Sequence, residues 1–239
     1  INSNTKGIII NSPSNPTGGV WSDEAILQLL DIIKNRPDIW IFSDECYEQL
    51  TYNIPFKSIA TFNPSLKNII TFQSCSKTYA MTGWRIGYLA GDMELVKAVS
   101  KLQGQSTSCP NSIAQYAAVE ALSGNQSCVL KMKSIFHKRR DLILQELKDI
   151  SNIECEKPNG AFYVFPNFKY YLHNKSINDK GIKTSSDLSL YILDQTGVVT
   201  VAGDSFGAPN NIRLSYATSD AIITDACRHI QTALLKLKN

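Results

Sequence analysis

Four short apolar runs constrain the fold of this chain more than any other feature: Gly7-Ile-Ile-Ile10, Ile39-Trp-Ile-Phe42, Asn68–Phe72 and Ile86–Ala90. Each has the length of a buried strand, and helical patterns are interleaved with them. Ser22-Asp-Glu24 supplies a capping residue followed by first-turn acids, and Ile26, Leu29, Leu30 and Ile33 recur at helical spacing until Arg36-Pro-Asp38 stops the pattern. Asp92–Leu102 repeats that spacing with Leu95, Val96, Val99 and Leu102. Strands alternating with helices imply an α/β fold on a mainly parallel sheet. Such sheets bind ligands beyond the carboxyl ends of their strands. Asn15, Asp44 and the segment Ser74 to Lys77 each follow the end of a predicted strand, so they are expected at one edge.

The second half reads differently. Helices are expected over Asn111–Leu122 and Gln126–Lys148, and a strand over Ala161–Phe165 after the loop Lys157-Pro-Asn-Gly160. Then come a helix over Ser186–Gln195, strands over Val198–Ala202 and Ile212–Tyr216, and a closing helix over Asp220–Leu237. The chain is expected to divide near residue 130, inside or before the long helix, into 1–130 and 131–239. Asn167 to Thr184 is polar and lysine-containing and is read as a surface loop.

Bulk properties exclude several classes. A net charge of +3 gives no push toward nucleic acid, and no apolar run approaches a membrane span. Six cysteines, at 46, 75, 109, 128, 155 and 227, form no Cys-x-x-Cys pair and point to free thiols in a reducing, cytoplasmic setting. His137, His173 and His229 lack metal-ligand spacing. The basic run Lys131–Arg140 is read as a solvated helix face.

The chemistry concentrates in Ser74-Cys-Ser-Lys-Thr-Tyr-Ala-Met-Thr-Gly-Trp-Arg-Ile-Gly87. Hydroxyls and an arginine suit a phosphate. A lysine among them suits a carbonyl cofactor held covalently. Together they describe a pocket for pyridoxal phosphate, with Lys77 as anchor and Ser74 and Arg85 as phosphate ligands. Arg85 precedes an apolar strand and is expected to escape full exposure. Asp44 ends a buried run with no local cation. It either caps the next turn or pairs with the protonated pyridine nitrogen. Tyr47, three residues on, shares its face in a helical turn, and its hydroxyl is a donor for the cofactor's phenolic oxygen. Asn15 lies in the turn Ser14-Asn-Pro-Thr-Gly18, where its amide is a second such donor.

Segment Ser74–Tyr88 is similar to the cofactor-lysine segment of class I aminotransferases, the aspartate aminotransferase family. Asn11-Ser-Pro-Ser-Asn-Pro-Thr-Gly18, Ser43-Asp-Glu-Cys-Tyr-Glu48 and Asn211-Ile-Arg-Leu-Ser-Tyr-Ala-Thr218 resemble three more of its segments, in order. The resemblance runs along essentially the whole chain. It implies a fold type I transferase dependent on pyridoxal phosphate, with the C-terminal part of the large cofactor-binding domain at 1–130 and the small α+β domain at 131–239. It implies transamination between an L-amino acid, aspartate first, and a 2-oxo acid such as 2-oxoglutarate. Other amino donors, or β-elimination by the same residues, are the alternatives. Arg213, in an alternating strand pattern, takes by resemblance the role of clamping the substrate α-carboxylate, and Asn15 counts as a second substrate-binding residue. A homodimer is also implied, with neither nucleic acid nor membrane as partner. Family members are longer upstream, so the chain is expected to be a C-terminal portion, weakly active or inactive alone.

One pattern competes. Gly203-Asp-Ser-Phe-Gly207 satisfies the Gly-x-Ser-x-Gly of a hydrolase nucleophile elbow, with Asp220, Asp225 and His229 downstream. Such an elbow leads into a helix, whereas Ala208-Pro-Asn-Asn211 follows here, so the hydrolase reading is set aside.

Overall fold

The computed structural model describes residues 1–238. The chain forms two compact units: Ile1–Ser14 with Gly19–Lys133, and Asn15–Gly18 with the chain from Ser134 onward. The second unit therefore includes a four-residue turn taken from far upstream.

In the first unit, strand β1 (Gly7–Asn11) leads to helix α1 (Asp23–Ile33) and strand β2 (Trp40–Asp44). Strand β3 (Ile69–Ser74) runs directly into the short helix α2 (Cys75–Thr78), and strand β4 (Gly87–Ala90) follows. Helices α3 (Met93–Ser106) and α4 (Ser112–Ser123) complete the unit, and α5 (Ser127–Lys148) leaves it. The sheet order is β1-β2-β3-β4. Its first three strands are parallel, in register Asn11 with Asp44 and Asp44 with Phe72, so their carboxyl ends lie side by side. Strand β4 closes the edge antiparallel to β3. α1 starts where expected because the Ser22 hydroxyl accepts the Ala25 N–H at 3.2 Å. Its Ile26, Leu30 and Ile33 pack with Ile10, Ile41, Ile59 and Ile69 on one sheet face. Each such buried side chain contributes roughly 1.5–3 kcal/mol.

In the second unit, strand β5 (Tyr163–Val164) is followed by α6 (Lys169–Leu172), α7 (Lys175–Asn178) and α8 (Ser185–Thr196). Strands β6 (Val201–Ala202) and β7 (Ile212–Ser215) and helix α9 (Asp220–Lys238) complete it. The sheet is antiparallel with β7 central, in the order β5-β7-β6. Ile212, Leu214 and Tyr216 are buried, and Arg213 takes the intervening position. Ile223, Cys227, Ile230, Leu234 and Leu237 line the buried stripe of α9.

Two expectations are corrected. Residues 167–184 are not a plain surface loop: they include α6 and α7, and Phe168, Tyr171, Leu172, Ile177 and Ile182 are buried. Spaced apolar residues in a polar setting outweigh the surrounding lysines. The basic run 131–140 is not uniformly solvated either. Phe136 and Arg140 are buried, Arg140 completely.

Candidate active site

At the carboxyl edge of the first sheet, backbone bonds tie the strand ends together. Ser12 N–H donates to Asp44 O at 3.1 Å and Glu45 N–H to Phe72 O at 2.8 Å. Asp44 is half-buried, and its Oδ1 accepts the Cys46 N–H at 3.2 Å, so it also serves the local turn. Tyr47 is buried, 3% exposed, in the turn that follows. Lys77 sits in α2, half-buried, because β3 delivers the chain straight into that helix. Burial raises the Cys46 thiol to about 12. Asp44 adds to the rise and Lys77 opposes it, so both charges are felt at the Cys46 sulfur.

The Ser74 hydroxyl caps α2, accepting from Ser76 N–H at 3.1 Å and donating to Ser76 Oγ at 2.8 Å. Two hydroxyls therefore meet at the start of the lysine turn. Arg85 departs from expectation: it is exposed. Its φ of +52° places it in the left-handed region at the end of the 3-10 turn Thr82–Trp84, and its Nη1 donates to Thr82 O at 3.1 Å. That turn swings Arg85 outward while Ile86 goes in, 8% exposed. Arg85 borders a depression of about 800 Å³ with Trp84, Gln103, Thr107 and Asn111, whose lining includes neither Lys77 nor Asp44.

The second unit joins Asn15 and Arg213 across 198 positions of sequence. Arg213 Nη1 donates to Asn15 Oδ1 at 2.6 Å. The guanidinium lies 4.5 Å from the Tyr163 ring centre and 5.3 Å from that of Phe206. Its Nε is buried without a hydrogen-bond partner. An unpaired buried donor costs about 1–3 kcal/mol, so the arrangement favours an incoming anion.

Three residues, two in the second unit and one in the first, escape the sequence reading. Tyr163 belongs to the alternating stretch after Gly160, a weak signal for an aromatic under a cation. Phe206 sits inside the Gly-x-Ser-x-Gly pattern, which drew attention to Ser205 instead. Ser205 is exposed on a 3-10 turn, and Asp220 and Asp225 are bonded by Arg139 and Arg228. Glu45, beside Asp44, is 1% exposed and accepts from Ser43 Oγ at 3.0 Å, Ser58 Oγ at 2.9 Å and Ile59 N–H at 3.3 Å. An acid abutting a buried strand and two serines is its only sequence signal.

Among the described residues no group of histidine, cysteine and acidic side chains is arranged to hold a metal, and no helix is long and apolar enough to cross a membrane.

The first sheet carries Asp44 and the Lys77 turn at the carboxyl ends of its parallel strands, and the antiparallel sheet of the second unit carries Arg213; these are features of an α/β transferase of fold type I. The chain belongs to the aminotransferase class I and II family, whose residue pattern matches residues 1–230. It is 44% identical over 229 residues to a probable aspartate/prephenate aminotransferase of Rhizobium leguminosarum bv. phaseoli, covering 95% of this chain and 57% of that one. It is 40% identical to an aspartate aminotransferase of Rhizobium meliloti strain 1021, with 98% and 57% covered. Among solved structures, an aspartate aminotransferase from Rhizobium meliloti superposes with a TM-score of 0.91 at 40% identity, covering 98% of this chain and 59% of that one. The aspartate aminotransferase from Thermus thermophilus with maleate gives 0.86 at 33% identity, with 98% and 58% covered. The chain thus spans a little under three fifths of the length of the curated relatives it matches.

Proposed function

We propose that this chain serves a transamination dependent on pyridoxal phosphate, in which an amino acid, aspartate foremost, exchanges its amino group with a 2-oxo acid. The observation that carries the reading is Arg213, an arginine held by an amide and two aromatic rings with a buried Nε left unpaired. That is a receptor for a carboxylate, and its fork suits two oxygens at once. Both relatives named above are called aspartate aminotransferases or aspartate/prephenate aminotransferases, which supports the choice of donor.

The residues present suit the cofactor. When bound, pyridoxal phosphate supplies an aldehyde and an electron-withdrawing ring to which the amino group passes. Lys77 would hold it covalently, and its side-chain amine would be the group that moves the proton at the substrate Cα. Asp44 keeps a proton on the ring nitrogen. Tyr47 and Asn15 donate to the phenolic oxygen; with its Oδ1 on Arg213, the Asn15 amide directs its Nδ2 elsewhere. Ser74 and Arg85 hold phosphate oxygens. Arg213 fixes the substrate α-carboxylate and so orients the Cα–H bond. In this reading residues 1–130 are part of the cofactor-binding domain and 131–239 the small domain.

We further propose a second copy of the chain as partner and the cytoplasm as location. The first is supported by the exposed apolar residues Leu102, Ile113 and Tyr116 of α3 and α4. The second is supported by six cysteines that are all free.

The test is the visible absorption of the protein on adding pyridoxal phosphate. A pH-dependent band should form and be absent from Lys77→Ala; an equal band in that variant would remove Lys77 from the role.

A further inference from the structure

We propose that Arg140 is a positioning residue for the Asn15–Arg213 pair, acting through the loop Lys157–Gly160; this rests on the carboxylate-binding reading of Arg213 given above. Arg140 is fully buried on α5. Its Nε and Nη2 donate to Asp141 Oδ1 at 3.0 and 2.8 Å, and its Nη1 donates to Pro158 O at 3.2 Å. Asp141 is half exposed, so one fork joins a surface carboxylate to an internal backbone carbonyl. Partial burial works against the Asp141 charge, but Arg140, with Lys157 and His137, holds its carboxyl below the usual range.

The loop gripped by Arg140 reaches Arg213 by two routes. In the first, the Asn159 and Gly160 N–H groups both donate to Gly18 O, at 3.0 and 2.8 Å. Gly18 is so close that a Cβ built on it would lie 2.4 Å from Pro158 Cβ and 2.6 Å from Gly160 O. Gly18 closes the turn that begins at Asn15, whose Oδ1 takes the Arg213 Nη1 bond. In the second, the loop continues through Ala161, whose carbonyl accepts the Tyr216 hydroxyl at 3.1 Å, to Tyr163, whose ring lies under the Arg213 guanidinium. Both contacts that aim Arg213 from this side thus depend on where the loop sits.

A buried ion pair often contributes little net stability, and a packed apolar residue could fill the same volume. What an apolar residue cannot do is hold Pro158 O at a defined distance. Lysine, a compact ammonium on a flexible stem, does not reproduce the rigid fork that bonds Asp141 and Pro158 O together. The role is therefore geometric, and its signature is coupling to Asn15.

The experiment titrates maleate into the protein loaded with pyridoxal phosphate, by calorimetry. Arg140→Lys should weaken maleate about tenfold, as loss of one link in a packed network does, without changing the cofactor's visible band. In an Asn15→Ala background the same change should weaken it further by clearly less than tenfold, because one of the two routes is already cut. A purely structural role would lower the unfolding midpoint yet leave maleate affinity unchanged, or add its full effect in both backgrounds; either result overturns the proposal. If Arg140→Lys does not fold, Asp141→Asn perturbs the same fork from the surface and is held to the same readouts. Arg213→Lys separates the two readings: if it leaves maleate binding intact, the carboxylate site itself is refuted. If it weakens binding while Arg140→Lys and Asp141→Asn do not, only the positioning role fails.

Discussion

Replacing Gly18 with alanine tests how tightly the upstream turn is locked into the second unit. Two costs follow from the structure. Gly18 has φ of +66°, in the left-handed region, where an alanine loses about 1–2 kcal/mol. Its new Cβ would also overlap Pro158 Cβ at 2.4 Å and Gly160 O at 2.6 Å. Neither neighbour is the tip of a flexible side chain, so the two backbones must separate. Separation breaks the bonds from Asn159 and Gly160 N–H to Gly18 O, each about 0.5–1.5 kcal/mol. The total destabilisation is about 2–5 kcal/mol. Gly181 is an internal reference: its φ is +90°, but nothing lies within 4 Å of a Cβ there, so Gly181→Ala carries the backbone cost alone. The difference between the variants isolates the contact. Urea unfolding followed by circular dichroism is the suitable assay, with amide exchange at Asn159 and Gly160. Fluorescence is not, since Trp21, Trp40 and Trp84 all lie in the first unit. Midpoints giving the same stability for Gly18→Ala and Gly181→Ala, within about 0.5 kcal/mol, would refute the reasoning.

Glu45 should impose a pH dependence of known sign. Burial raises its pKa, against the bonds from Ser58 and Ser43, so the folded state holds its proton more firmly than the unfolded state. The resulting stability is complete below the ordinary glutamate value and is lost as pH rises toward the raised value. Glu45→Gln should flatten this loss in unfolding measured across that interval; parallel curves for the two proteins would contradict it. Thiol reactivity should follow burial. Cys46 and Cys227 are pushed up to about 12 by burial, with help from Asp44 and Glu146 respectively, whereas Cys109 and Cys128 are exposed. Alkylation at mildly alkaline pH, mapped by peptide mass, should therefore label Cys109 and Cys128 first. Early labelling of Cys46 would mean that its pocket is open to solvent.

The sequence by itself determined most of the elements and the family. Apolar runs end at Ile10, Phe42 and Phe72, and the three parallel strands end one or two residues later, at Asn11, Asp44 and Ser74, because strand length is largely a local property. Ser22 caps α1 for the same reason: a cap involves neighbours a few residues apart. Tertiary structure alone decided which side chains are enclosed and which distant ones meet. Arg85 is exposed although it precedes a strand, since one left-handed residue redirects it. Arg140 is enclosed within a run of lysines and arginines, since its partners are Asp141 and a carbonyl in a separate loop. Nothing near Arg213 in the chain announces Asn15 or Tyr163 as its contacts. The separation is physical: hydrogen bonds within a turn are set by adjacent residues, whereas burial of a charge depends on partners that only the folded chain brings within 3 Å of it.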